Sequence, residues 1–329
     1  MKRFCALLLA LTMAFSGIAG AQPATQDTGA DTGTAGTEAV SPAPPQAPAA
    51  AEFTAVEKLK TVEKILYGTA QTGPLLDRLT RIERDLFGAP SQDALLPRVD
   101  RLYAYMRDSS SEPSFLLKLS ALEWMLTRGV THQPGKNRIE AMENLVYGAV
   151  KTGGLDGRLD RLLKLAYANG QMDVTATTIP KDTLIKIKIL TPLDTKKNRP
   201  GDRVAFEAME DVTINGALVI AKGAWGMGKV TKVVPPKMFG QNAKLEVSFD
   251  TIEAVDATKV DTLLGEKAKE RTEAMAAAAG ASLVGAALLG PVGLIGGVFV
   301  QGNEIVVPVG TQMFIQTKAD TDVWALRVN

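Results

Sequence analysis

The chain has 329 residues, which at about 150 residues per domain suggests two domains. Its 37 basic and 36 acidic residues nearly cancel, and with no basic tail or basic-rich stretch, nucleic acid is excluded as an expected partner. One His and one Cys rule out zinc centres built on those residues, self-contained Ser-His-Asp or Cys-His catalysis, and disulfide scaffolds.

Residues 1–21 read as a secretory signal. Lys2 and Arg3 form the charged start, Ala6 to Phe15 an apolar core, and Ala19-Gly20-Ala21 a small-residue cleavage site before Gln22. The core is too short to span a bilayer. Cys5 leaves with it, so the mature chain has no cysteine. Residues 22–51 hold Pro23, Pro42, Pro44, Pro45 and Pro48 among Ala, Thr, Gly and Gln. Such a composition buries too little surface to offset ordering entropy, so the segment reads as a disordered linker.

Residues 52–170 repeat with a period of 20 over six units. A basic residue recurs at Lys58, Arg78, Arg98, Lys118, Arg138 and Arg158. An aliphatic follows each, from Leu59 to Leu159, and another apolar residue stands three further on, from Val62 to Leu162. Glu63, Glu83, Glu123 and Glu143 come next, with Tyr103 and Leu163 as exceptions. Tyr67, Phe87, Tyr147 and Tyr167 close four units, and Gly68, Gly88 and Gly148 follow three of these aromatics. Apolar spacing of three and four predicts an amphipathic helix of about 14 residues per unit. The glycines suit left-handed C-terminal caps, and Pro74 and Pro134 stand at helix starts. Short turns then give three helical hairpins, stacked as a solenoid or closed into a bundle. The recurring Arg and Glu border the apolar stripe. They bridge to the next helix, or they form a repeated surface (Arg78, Arg98, Arg138, Arg158; Glu63, Glu83, Glu123, Glu143) that binds a partner. His132 lies in a turn and reads as solvated.

Residues 173–329 change to short alternating runs. Strands are predicted over 184–189, 203–206, 212–214, 218–220, 229–234, 244–249, 304–307, 313–316 and 323–328. Asn215-Gly216 marks a hairpin. The pattern predicts a mainly β sandwich or barrel, so the chain as a whole is α+β and multidomain. Three similar phrases lead into new strands: 178–183, 219–224 and 306–311. Pro fixes φ, and Asp182, Gly223 and Gly310 tolerate a left-handed corner. Gly226-Met227-Gly228-Lys229 lacks the spacing and following helix of a phosphate loop.

These residues carry a resemblance. Thr178 to Leu190, Asp211 to Ala224, Leu245 to Val255 and Ile305 to Leu326 are similar to parts of the outer-membrane-core β-barrel subunit of type IV secretion systems. The shared features include the Pro308-Val309-Gly310-Thr311 corner and Asp320-Thr321-Asp322-Val323-Trp324. The resemblance covers residues 178–329. It implies a β-barrel with an inserted helical pair that, repeated around a ring, lines an outer-membrane pore. The N-terminal repeat has no counterpart there, and a signal peptide replaces an inner-membrane helix.

Residues 274–303 contain no charge. Ala281, Gly285, Gly293 and Gly297 fall on a spacing of four that lets helices approach closely, as in membrane helix pairs. Gly290-Pro291 breaks the segment, so it reads as an inserted Gly/Ala-rich helical hairpin. Each half spans only about 22 Å, against a ~30 Å hydrocarbon core. The hairpin therefore dips into a bilayer, packs on another copy, or packs over its own sheet. Residues 266–273 carry both charge signs and read as a solvated helical entry.

The sequence points to a non-enzymatic exported envelope protein, in the periplasm or outer membrane of a Gram-negative-type cell. Envelope proteins, the membrane or a further copy are its expected partners, and no cofactor or metal is expected. The alternative is an oligomeric outer-membrane pore or secretion-channel-like subunit. A wall-degrading enzyme would need a carboxylate pair. Glu207, Glu210, Asp211, Asp320 and Asp322 offer none with a distinctive spacing.

Overall fold

The structure, a computed structural model, describes residues 53–235, 243–279, 293–295, 298–301 and 305–328. The signal and linker readings lie outside the described residues. The helical and β parts together form one compact unit.

Each repeat unit is one short helix: α1 (Ala55–Tyr67), α2 (Leu75–Phe87), α3 (Leu95–Arg107), α4 (Phe115–Thr127), α5 (Gly135–Tyr147) and α6 (Leu155–Ala166). Thr54 starts α1 with a capping box, exchanging hydrogen bonds with Glu57. Gly68, Gly88 and Gly148 end their helices with φ of 80°, 88° and 70°, conformations that L side chains rarely adopt. The stripe positions are buried: Leu59, Val62, Leu66, Leu79, Ile82, Leu86 and their counterparts form one core shared by all six helices.

At about 20 Å each, such helices are marginal alone, so packing stabilises them. The first helix packs against α3 and α5, and α2 packs against α6. The array thus folds back on itself as a bundle instead of extending as a solenoid. At Gly154, just before α6, an added Cβ would strike the Leu86 carbonyl. Only glycine lets this helix start on the end of α2.

The β part begins with β1 (Val174–Ile179), β2 (Leu184–Ile189), β3 (Leu193–Asp194), β4 (Arg203–Ala208), β5 (Val212–Ile214), β6 (Ala217–Ile220) and β7 (Trp225–Val234). Then come β8 (Ala243–Glu253), β9 (Lys259–Leu263), α7 (Glu266–Ala279), β10 (Gly293–Ile295), β11 (Val298–Gln301), β12 (Val306–Val307), β13 (Gln312–Thr317) and β14 (Thr321–Arg327). Six antiparallel strands close a barrel in the order β8-β7-β4-β2-β13-β9, with β9 returning to β8. A four-stranded sheet, β1-β14-β6-β5, packs on the same core. Ile185, Ile187 and Ile189 alternate inward along β2, as the sequence pattern requires.

The predicted corners are left-handed: Asp182, Gly223 and Gly310 have φ of 64°, 85° and 89°. Asn215 and Gly216, at 51° and 78°, make the tight turn between β5 and β6. Gly226 and Gly228 lie inside β7. An added Cβ would meet the Phe206 ring at one and the Ser248 carbonyl at the other, so these glycines serve barrel packing.

The charged entry helix α7 is not wholly solvated. Ala268 and Thr272 are fully buried on the barrel. The strand β13 pairs with β9 only at Gln316 and Thr317. Farther along that edge, the helix supplies the partners. Thr272 Oγ1 accepts from the Phe314 N–H at 2.8 Å, and the Gln316 Oε1 accepts from the Ala268 N–H at 3.0 Å.

Residues 274–303 are not a helical hairpin throughout. Helix α7 runs to Ala279, and β10 and β11 then form an antiparallel pair laid against β8. Gly293 is therefore a strand residue. Val292, Leu294, Ile295, Val298, Phe299 and Val300 around it favour strand, and the open edge of β8 offers unmet hydrogen-bonding groups. Ala281, Gly285 and Gly297 lie outside the described residues.

Candidate functional site

The recurring Arg and Glu residues are not a surface. The four glutamates are 0–6 % exposed and the four arginines 6–8 %. Each Arg pairs with the Glu 15 residues before it, across the turn joining successive helices. Arg78 Nε and Nη2 donate to Glu63 at 2.7 Å each, and Arg98 to Glu83 at 3.0 and 2.6 Å. Arg158 donates to Glu143 at 3.1 and 2.7 Å. Arg138 instead puts Nε and Nη2 on one oxygen of Glu123, because the Thr131 hydroxyl takes the other.

Each carboxylate also accepts a backbone N–H eight residues later: Gln71, Ser91, Thr131 and Lys151 at 2.9, 3.0, 3.1 and 3.0 Å. The glutamate thus fixes the turn and the next helix together. Burial acts to raise the Glu143 carboxyl, but the Arg158 and Lys151 hydrogen bonds outweigh it and hold it below the usual value. The joint between α3 and α4 lacks this device. Tyr103 stands in the glutamate's place, and Lys118 reaches Asp160 at 3.9 Å.

The fourth helix bonds the bundle to the β part. Leu117, Ala121 and Trp124 on α4 join Leu218, Ala221, Val255 and Leu326 in a separate core. Trp124 Nε1 donates to Asp211 at 2.8 Å, and the other oxygen of Asp211 accepts from the Lys222 N–H at 2.7 Å. The Val130 N–H donates to the Lys222 carbonyl at 2.8 Å. Tyr167 donates to the Ala121 carbonyl, and burial pushes its hydroxyl up to about 12.

His132 is exposed, yet its ring stacks on Trp225 with centroids 4.3 Å apart and planes 7° from parallel. Desolvation lowers its pKa, opposed by Glu253 and aided by Arg138. Asp211, which accepts from Trp124 and from the Lys222 N–H, belongs to this seam.

A cleft of about 650 Å³ opens beside this seam. The end of α3 supplies Arg107, Asp108 and Ser109. Sheet residues Thr177, Thr178, Asp322 and Trp324 face them, and the turn after β8 adds Asp256 and Thr258. Asp256 is saturated: it accepts from the Thr258 N–H and hydroxyl at 2.9 Å each and from the Trp324 N–H at 2.8 Å. Asp322 accepts from the Thr178 hydroxyl at 2.6 Å, and Arg107 donates to the Ala257 carbonyl at 3.2 Å. Among the described residues no cluster of three His, Cys, Asp or Glu has metal-binding geometry.

Solved structures similar to the chain include one from a secretion system. It is ComB10 of the Com type IV secretion system of Helicobacter pylori, 14% identical, over 44% of this chain and 88% of that one, with a TM-score of 0.24. No family model matches, and neither does any curated protein. At that TM-score the likeness carries no functional argument.

The period identified the stapling residues and left two readings open, a bridge to the next helix or a partner-binding surface; the structure shows the bridge. The sequence reading missed the cleft, whose walls come from segments far apart in the chain. One clue was present. Units one, two and five close on an aromatic and a glycine, whereas unit three closes on Arg107-Asp108.

Proposed function

We propose that the chain is a non-enzymatic scaffold of the cell envelope. The observation that carries this reading is the apolar seam on α4, in which Trp124 and Leu117 meet Leu218 and Leu326. A helical bundle and a barrel joined this way hold fixed relative positions and offer two separate surfaces to partners. The buried charged pairs serve the same end, since they fix turns and helices. Lys2, Arg3, the apolar run to Phe15 and Ala19-Gly20-Ala21 support export.

A second reading, an oligomeric pore or secretion-channel-like subunit, is favoured by the uncharged residues 274–303. They begin on α7, which packs on the barrel, and include β10 and β11, of which β11 pairs with the barrel strand β8. Segments so apolar are covered by lipid, by another copy or by the protein's own core.

Cell fractionation followed by carbonate and detergent extraction tests both readings. The scaffold reading expects a mature chain beginning at Gln22 in the envelope fraction. Ring-shaped particles in detergent support the pore. An intact Met1 on a chain confined to the cytosol overturns both.

A further inference from the structure

The cleft lies where the helical repeat departs from its own rule. At the end of unit three, Arg107 and Asp108 replace the aromatic and glycine of units one, two and five. The joint that follows also lacks the buried Arg–Glu staple. Loop residues take over its fixing: Asp108 accepts from the Ser110 N–H at 2.9 Å, and Ser109 accepts from the Ser114 N–H at 3.1 Å. The effect of these changes is to bring a guanidinium, a carboxylate and a hydroxyl to the mouth of the cleft.

We infer that the cleft binds a neutral oligosaccharide, in contact with Trp324, Asp322, Thr177 and Arg107. The volume, about 650 Å³, lies in the range of small-molecule sites. A sugar presents hydroxyls that both donate and accept, and an apolar face of C–H groups. The cleft answers both. Asp322, which makes one internal bond through Oδ1, accepts through its other oxygen; Arg107 donates, and the threonine hydroxyls do either.

Trp324 supplies apolar ring surface, and it is held ready. Its backbone N–H is bonded to buried Asp256, which fixes the strand there, and its side chain packs against the Leu117–Leu326 core, which fixes the ring. A ring fixed before binding loses little entropy on contact.

The same groups disfavour an anionic ligand: one Arg faces three carboxylates, which repels a phosphate-bearing polymer. The inference stands apart from the scaffold reading, since it needs neither export nor a partner protein.

Chitotriose, cellotriose, maltotriose and tetralysine, each titrated by calorimetry into the whole mature chain, provide the test. At least one trisaccharide should bind. Asp322→Asn and Thr177→Val should each weaken it about tenfold, the scale of one lost hydrogen bond. Neither residue belongs to a packed core, and circular dichroism checks that both variants fold. Trp324→Phe, which keeps a ring, should bind more weakly than the parent. Arg101→Ala, altering an exposed pair on the bundle, should leave binding unchanged. The inference is overturned if no trisaccharide binds, or if both cleft variants keep the parent affinity. Binding of tetralysine alone also overturns it and assigns the cleft to basic peptides.

Discussion

Glu123 and Arg138 meet at 2.6 Å inside the bundle, 15 residues apart in the chain and on opposite sides of a turn. The same offset joins Glu63 to Arg78, Glu83 to Arg98 and Glu143 to Arg158. The pair therefore belongs to the joint between units, and it explains why the period is kept so strictly. Inserting one residue in such a turn would move the guanidinium away from a carboxylate that is buried from solvent.

Arg138→Ala should be severely destabilising. It leaves Glu123 buried with only Thr131 as a partner, and an uncompensated buried charge costs about 3–5 kcal/mol. Arg101→Ala removes an exposed pair with Asp93 and should cost under about 1 kcal/mol. Thermal melts followed by helical circular dichroism distinguish them. Equal shifts would contradict the staple.

The bundle was legible because its stripe is strict. Leu59, Val62 and their repeats can only be one buried face. The burial of the arginines was not, because a charge bordering a stripe reads alike on a rim or inside. Its glutamate partner lies on the preceding helix, where a single-helix pattern does not look.

The sequence of α4 did carry a sign of the seam. Leu117, Ala121 and Trp124 lie off the stripe yet are apolar, as a helix buried on two sides requires. The first strand β1 was missed because half of Val174-Thr175-Ala176-Thr177-Thr178-Ile179 is threonine and its partner, β14, lies at the far end of the chain. The residues around Gly293 fitted a spacing of four and also a strand, and the free edge of β8 decided between them.

Gly223→Ala should split the unit along its seam. Gly223 has φ of 85°, and an added Cβ would run into the Val130 carbonyl next to the Val130–Lys222 hydrogen bond. Gly73→Ala is the control: φ is 110° there, but nothing lies within 4 Å. Both carry backbone strain, and only the first carries the clash. Calorimetry of Gly223→Ala should resolve separate bundle and barrel transitions, with a single one retained in Gly73→Ala. Two transitions in both variants, or in neither, would remove Gly223 from the seam.

Acid should loosen the bundle through Glu143. Its folded pKa lies below the usual carboxylate value, so the folded state binds its proton less readily than the unfolded chain does. The resulting stability is fully present above the ordinary value near 4.5. It falls as pH drops from there and is gone once pH passes below the folded value. Glu143→Gln removes the titrating group while keeping its shape. This variant should be less stable than the parent at neutral pH, because Arg158 loses its counter-charge in a buried site. Between pH ~5 and the folded value, its stability should also change less steeply than the parent's. Urea unfolding at a series of pH values, followed at the helical circular dichroism band, reads both effects. Parallel pH profiles for the two proteins would show that Glu143 is not a source of the acid sensitivity.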